Sequence, residues 1–149
     1  MRKILVALDG SKRQADVLRA ASSLARKTGA RLVLFRAVGL PDGLPPEAYS
    51  IPPNEVPILL EQRAQSELEK IEQQVPDELR GGVVVHIGSP WQAIDRAAKD
   101  HDADAIVIGS HGFSGLDHVI GTTAAKVVNH ADRTVIVVRD ADRFTREVP

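Results

Sequence analysis

Five short runs of this chain are almost continuously apolar, and the segments between them carry apolar residues three and four apart. The runs are Ile4 to Leu8, Arg31 to Phe35, Val83 to Ile87, Ala105 to Ile108 and Val135 to Val138. Unbroken aliphatic character over so few residues fits a strand buried on both faces, as in a parallel sheet covered by helices. The intervening segments read as helices. Val17, Leu18, Ala21, Leu24 and Ala25 share one helical face, and Gly29 follows where a helix end favours a left-handed residue. Leu60, Ala64, Leu68, Ile71 and Val75 form a second stripe. Ser89-Pro90-Trp91-Gln92 supplies an N-cap, a proline at the first helical position and a capping box, with Trp91, Ile94, Ala97 and Ala98 toward the sheet. A fourth helix is predicted from Thr122 to His130, with Ala125, Val127 and Val128 as packing candidates.

Strand and helix therefore alternate throughout. That order predicts an α/β fold, a doubly wound five-stranded parallel sheet flanked by about four helices with right-handed crossovers, over one domain spanning 1–149. Two stretches break the pattern. Gly39 to Pro57 carries Pro41, Pro45, Pro46, Pro53 and Pro57 and reads as a long loop, and Arg139 to Pro149 reads as a polar surface tail.

Composition narrows the function mainly by exclusion. With 19 basic and 20 acidic residues the net charge is −1, so no basic excess points to nucleic acid. The absence of cysteine excludes disulfides, thiolate metal sites and a cysteine nucleophile, and fits a reducing cytoplasm. No apolar run is long enough to span a bilayer. Met1-Arg2-Lys3 passes straight into Ile4 to Leu8 and stops at Asp9-Gly10, which reads as a strand and its turn, not a cleaved leader.

The candidate chemistry lies after the first and fourth runs. Open α/β sheets bind ligands beyond the carboxyl ends of their strands, where the strand order reverses, and these two strands are the expected neighbours there. Asp9-Gly10-Ser11 follows the first. Gly109-Ser110-His111-Gly112 follows the fourth, then Gly115, then Gly121-Thr122-Thr123 at the start of a helix. Glycines let backbone N–H groups close around phosphate oxygens, and the helix start adds unpaired amides and partial positive charge. The amides of Gly109, Gly112 and Gly121 would then face one anion. Spacing alone serves equally well for a tight turn with Thr122 as N-cap, and Asp9 alone would sooner cap the next helix or shape the turn.

Gly109-Ser110-His111-Gly112 followed by Gly121-Thr122 resembles the nucleotide signature of the universal stress protein family: Gly, two residues, Gly, nine residues, Gly, then Ser or Thr. Ile4 to Ser11 resembles the family's opening strand and turn, and His86-Ile87-Gly88-Ser89-Pro90 its turn into the third helix. Asp104 to Gly109 and Thr134 to Arg139 resemble its last two strands. The resemblance implies a Rossmann-like fold of the adenine nucleotide alpha-hydrolase type. It implies a stress-response module that binds ATP, or ADP or AMP in its place, with Mg²⁺ accompanying a triphosphate. Asp9 would accept a hydrogen bond from the adenine amino group, Ala37 would line the base and ribose pocket, and Ile108 would meet the base through its backbone. Gly109 and Gly112 would make room for ribose and phosphates, and Gly121, Thr122 and Thr123 would bind phosphate oxygens; apart from the resemblance, the sequence leaves His111 and His118 able to flank the phosphates. It also implies a homodimer through Thr134 to Val138. The chain departs from the pattern in having eight residues, Phe113 to Ile120, where the family has nine, and Arg36 where a His is usual. One residue fewer draws an extended loop in by up to ~3.5 Å. Arg36 reads as a solvated strand-end side chain more readily than as a phosphate ligand.

Competing chemistries fit less well. The glycines follow the fourth strand, and the second ends in Arg36-Ala37, against an NAD-type fold. No Walker sequence and no Gly-x-Ser-x-Gly elbow is present. His86, His101, His111, His118 and His130 form no ligand-spaced pair, and His101-Asp102-Ala103-Asp104 fits a polar turn better than a metal site. Three functions stay in play: a regulatory nucleotide binder, a slow ATP hydrolase or adenylyl transferase assisted by His111 or Asp117, and a dimeric interaction protein with an empty loop.

Overall fold

The computed structural model describes residues 1–39, 52, 55–110 and 120–145. Five parallel strands, β1 (Lys3–Ala7), β2 (Arg31–Val38), β3 (Arg80–Ile87), β4 (Ala105–Gly109) and β5 (Thr134–Val138), form one sheet in the order β3-β2-β1-β4-β5. The helices are α1 (Gln14–Thr28), α2 (Val56–Glu72), α3 (Pro90–Asp100), α4 (Thr122–His130) and α5 (Ala141–Thr145), with a 3₁₀ turn at Asp77–Leu79. The doubly wound parallel sheet is as the sequence predicts. The strand order reverses between β1 and β4, and that reversal places the site.

Alternation along each strand explains the unbroken apolar runs. Ile4, Val6, Leu32 and Leu34 pack with Val17, Ala21, Ala64 and Leu68 in the layer of α1 and α2. Leu5, Val33, Phe35, Ile106 and Ile108 pack with Ile94, Ala97, Ala124 and Val127 in the layer of α3 and α4. Successive residues face opposite layers, so both kinds of position select apolar residues along most of each strand.

Helix ends follow local rules only in part. Gly29, at φ 76°, ends α1 with its N–H donated to the Ala25 carbonyl at 2.8 Å. Pro90 opens α3 behind Ser89, but Ser89 makes no side-chain cap, so the expected capping box does not form. Trp91 sits at the edge of the α3 layer, partly buried and stacked on His130 of α4 at 4.6 Å. In α4, Ala124 and Val127 are buried while Val128 is exposed. α2 begins at Val56 with Pro57 in its first turn, so the end of the proline-rich stretch is helical. The rest of that stretch, apart from Gly39, Pro52 and Glu55, lies outside the described residues.

The polar tail is also corrected. Its first part is α5, which docks on α1 through the buried Ala141 and an Arg19–Asp142 ion pair at 2.7 Å.

The segment from His101 to Asp104 is a turn. Asp102 takes φ 51°, and the Asp104 carboxylate accepts the Arg2 and Lys3 amides at 2.7 and 2.9 Å, clamping the start of β1. Those two amide hydrogen bonds hold the Asp104 carboxyl below its ordinary range, with burial opposing and the N-terminal and Arg2 charges adding. A depressed native value means that the stabilisation is present above the unfolded carboxyl value, about 3.9, and lost as pH falls through the lower native one. Asp104→Asn is therefore expected to lower the urea midpoint by a constant amount above about pH 5, with the gap to wild type closing in acid. A gap unchanged down to pH 2 would count against the clamp.

Candidate functional site

Two loops at the carboxyl ends of β1 and β4 build the site. After β1, Leu8 stays buried and donates its amide to the Phe35 carbonyl at 2.8 Å. The chain then turns through Asp9-Gly10-Ser11. Gly10 takes φ +80°, a conformation that a side chain would strain. Asp9 Oδ1 accepts the Ser11 amide at 2.9 Å, while Oδ2 has no partner among the described residues. The N-cap of α1 is Arg13, without a side-chain cap, so Asp9 shapes the turn and does not cap the helix.

After β4, the Ser110 amide is donated to the Val138 carbonyl at 3.0 Å, and the Ser110 carbonyl accepts the Gly121 amide at 2.5 Å. The two ends of the glycine loop are thereby tied together at its base. The same bond corrects the picture of three inward amides, because Gly121 N–H is engaged by Ser110. Gly121 acts instead as the N-cap of α4, accepting the Ala125 amide at 3.0 Å. Thr122, Thr123 and Ala124 precede that first helical bond, so their amides have no acceptor within the helix. They carry the positive end of its dipole.

Between the two loops lies a cavity of about 390 Å³. Its apolar walls are Ala7, Phe35 and Ala37 from β1 and β2, Pro90 and Ile94 from α3, and Ile108 from β4. Its polar rim is Asp9, Ser11, Arg13, Ser110, Thr122 and Thr123, of which Ser11 and Ser110 are buried. One apolar compartment with a few convergent polar groups is the usual form of a small-molecule site. Among the described residues, Arg13 and Asp9 are the charged members of the rim.

Asp9, Ala37, Ile108, Gly109, Gly121, Thr122 and Thr123 all line this cavity. His111 and Gly112 lie outside the described residues, as do Gly115, Asp117, His118 and the shortened segment up to residue 119. Sequence reasoning missed Phe35, Ser11, Arg13, Ser110, Pro90 and Ile94 as lining residues. Phe35 and Ile94 looked like ordinary core. Ser11 carried a signal, a small polar residue directly after Asp-Gly, and Pro90 marked a helix start at the right end of the sheet.

Arg36 is neither solvated nor at the cavity. It shares the sheet face of Leu32 and Leu34, 8% exposed, and its guanidinium is paired with Glu67 and Gln14. Among the described residues, no three of His, Cys, Asp or Glu are grouped to hold a metal ion, and no helix is long and apolar enough to cross a membrane.

A universal stress protein family model (Usp: Universal stress protein family) matches residues 1–139. The chain belongs to the universal stress protein family. Universal stress protein Sll1388 of Synechocystis is 32% identical over 153 residues, covering 92% of this chain and 97% of that protein. The solved universal stress protein UspA from Lactobacillus plantarum is 26% identical with a TM-score of 0.72, covering 93% of this chain and 97% of that one. The universal stress protein from Archaeoglobus fulgidus, solved in complex with dAMP, is 26% identical with a TM-score of 0.59, covering 92% and 97%.

Proposed function

We propose that this universal stress protein binds an adenine nucleotide in the cavity between β1, β2 and β4 and works through occupancy. The observation that carries the reading is the pairing of two unlike ends on one cavity. At one end stand the amides and hydroxyls of Thr122 and Thr123 with the Ala124 amide, at a helix start where the amides have no acceptor within the helix, an arrangement suited to phosphate. At the other is the Asp9 carboxylate, with one oxygen fixed by Ser11 and the other open to a donor such as the adenine amino group. Ala7, Ala37 and Ile108 give the base an apolar bed. The dAMP complex of the Archaeoglobus fulgidus relative supports the ligand class.

ATP is the ligand we favour, with ADP and AMP sharing the same base contacts. Among the described lining residues Asp9 is the one carboxylate, and no Lys or His joins it. Mg²⁺ would therefore be held by phosphate oxygens and water, with no protein cage. The same inventory favours occupancy over rapid turnover, since the one carboxylate of the described rim, Asp9, is assigned to the base end and not to the phosphates.

Titration calorimetry with Mg²⁺ and ATP tests the proposal. Saturable heat with micromolar affinity is the expected result. No heat and no thermal protection at millimolar ATP would overturn it.

The proposal includes a homodimer in the cytoplasm. β5 is an edge strand whose outer backbone groups face away from β4, over Thr134–Val138. Pairing with a second copy would satisfy that edge. A monomeric mass by sedimentation at micromolar concentration would remove the dimer and leave the nucleotide reading intact.

A further inference from the structure

We infer that Arg36 is a positioning residue for ligand recognition, holding the turn that carries Asp9 from the face of the sheet opposite the cavity. The inference rests on the nucleotide reading and says how its base-reading group is set. Arg36 Nε donates to the Leu8 carbonyl at 3.3 Å, and Nη2 donates to Gln14 Oε1 at 3.0 Å. The same Gln14 oxygen accepts the Gly10 amide at 3.1 Å. The peptide groups on both sides of Asp9 are thus tied to one guanidinium, directly at Leu8 and through Gln14 at Gly10.

The packing leaves little freedom. A Cβ built on Gly10 would stand 3.7 Å from Arg36 Cζ, so the turn lies directly on the guanidinium plane. Arg36 is buried, whereas the side chain of its ion-pair partner Glu67 is 61% exposed. Glu67 compensates the charge from the solvent side, and the turn is held by the fork on the inner side. A fork with several fixed donors can serve Leu8, Gln14 and Glu67 together, which a lysine ammonium on a flexible stem cannot reproduce. Among the described residues, Asp9 itself adds one local hydrogen bond, accepted from the Ser11 amide. The direction of its open oxygen therefore depends on backbone geometry that Arg36 and Gln14 set.

A role of this kind appears in discrimination between bases, which general loss of stability does not move. ATP carries the amino group that would donate a hydrogen bond to Asp9, and ITP has a carbonyl there. Wild type is expected to prefer ATP over ITP by 10- to 100-fold, the range of a hydrogen bond to a charged group. In Arg36→Met the preference should fall to within threefold of unity, through loss of ATP affinity, while ITP affinity stays. Gln14→Leu, which keeps the Arg36–Glu67 pair, should lower the preference in the same direction and serves if Arg36→Met does not fold. A preference kept in folded variants overturns the positioning role and leaves nucleotide binding standing. If wild type binds neither nucleotide, the function fails, and NMR-detected exchange of the Gly10 and Ser11 amides in the free protein decides the inference. Exchange at least tenfold faster in the variants supports the tie from Arg36 to the turn, and unchanged exchange overturns it.

Discussion

Truncating Phe35 to Ala is expected to cost about 3–5 kcal/mol of stability, read as a lower urea midpoint at unchanged slope. Phe35 is 1% exposed on β2, opposite Ala7 of β1 and Val84 of β3. Its ring meets His86 edge-on at 5.7 Å. Parallel ladders on both sides fix its backbone, so the sheet cannot close over the missing ring. Against a total of about 5–15 kcal/mol for a domain of this kind, the loss is a large fraction. Leu34→Ala is the control. Leu34 is equally buried but faces the layer of α1 and α2, so it should cost about 2–5 kcal/mol and leave ligand affinity alone. Phe35 forms core and cavity wall at once, so its truncation should weaken both fold and binding. A loss under 1 kcal/mol would mean that water fills the enlarged cavity without penalty.

Phe35 also shows where the sequence is legible and where it is not. The run Arg31 to Phe35 announces a buried strand, because both faces of β2 demand apolar residues. It does not announce that one of those residues borders a cavity, since core and pocket wall select the same aliphatic and aromatic side chains. Strand ends are the next loss. β3 begins at Arg80, ahead of the apolar run, and passes through Gly81 and Gly82. Glycine has little strand preference, yet a Cβ on Gly81 would stand 2.8 Å from the Leu32 carbonyl oxygen, beside the register shift between Leu32 and Leu34. The close approach is a tertiary fact with no local pattern. α5 escaped for a similar reason, being a five-residue helix held by Ala141 and the Arg19–Asp142 pair and not by periodicity. Arg36 is the most instructive case. A charged residue at a strand end usually snorkels, but here partners from three separate segments, Leu8, Gln14 and Glu67, enclose it. At the glycine loop, Ser110 and Gly121 line the cavity and are bonded to each other, while residues 111–119 lie outside the described residues. Which amide faces the cavity depended on that one bond.

Filling the cavity from β2 is expected to abolish nucleotide binding with the fold retained. Ala37 is partly buried on the cavity side of β2, paired with His86 of β3, and its methyl group lines the apolar end beside Ile108 and Phe35. The cavity of about 390 Å³ is near the lower limit of small-molecule sites, roughly 300–1,000 Å³. An indole at this position would occupy the bed proposed for the base. Ala37→Trp should therefore lower ATP affinity by more than about 100-fold, near 2.8 kcal/mol. The new ring would enter existing space and not the close-packed layers, so the urea midpoint should stay near wild type. Calorimetry with Mg²⁺ and ATP reads the first outcome and urea unfolding the second. ITP should be lost with ATP, because the block is steric and indifferent to the amino group. That sets it apart from Arg36→Met, in which ATP affinity falls and ITP affinity stays. Undiminished ATP binding by folded Ala37→Trp would place the nucleotide outside this cavity and detach Asp9 from its recognition.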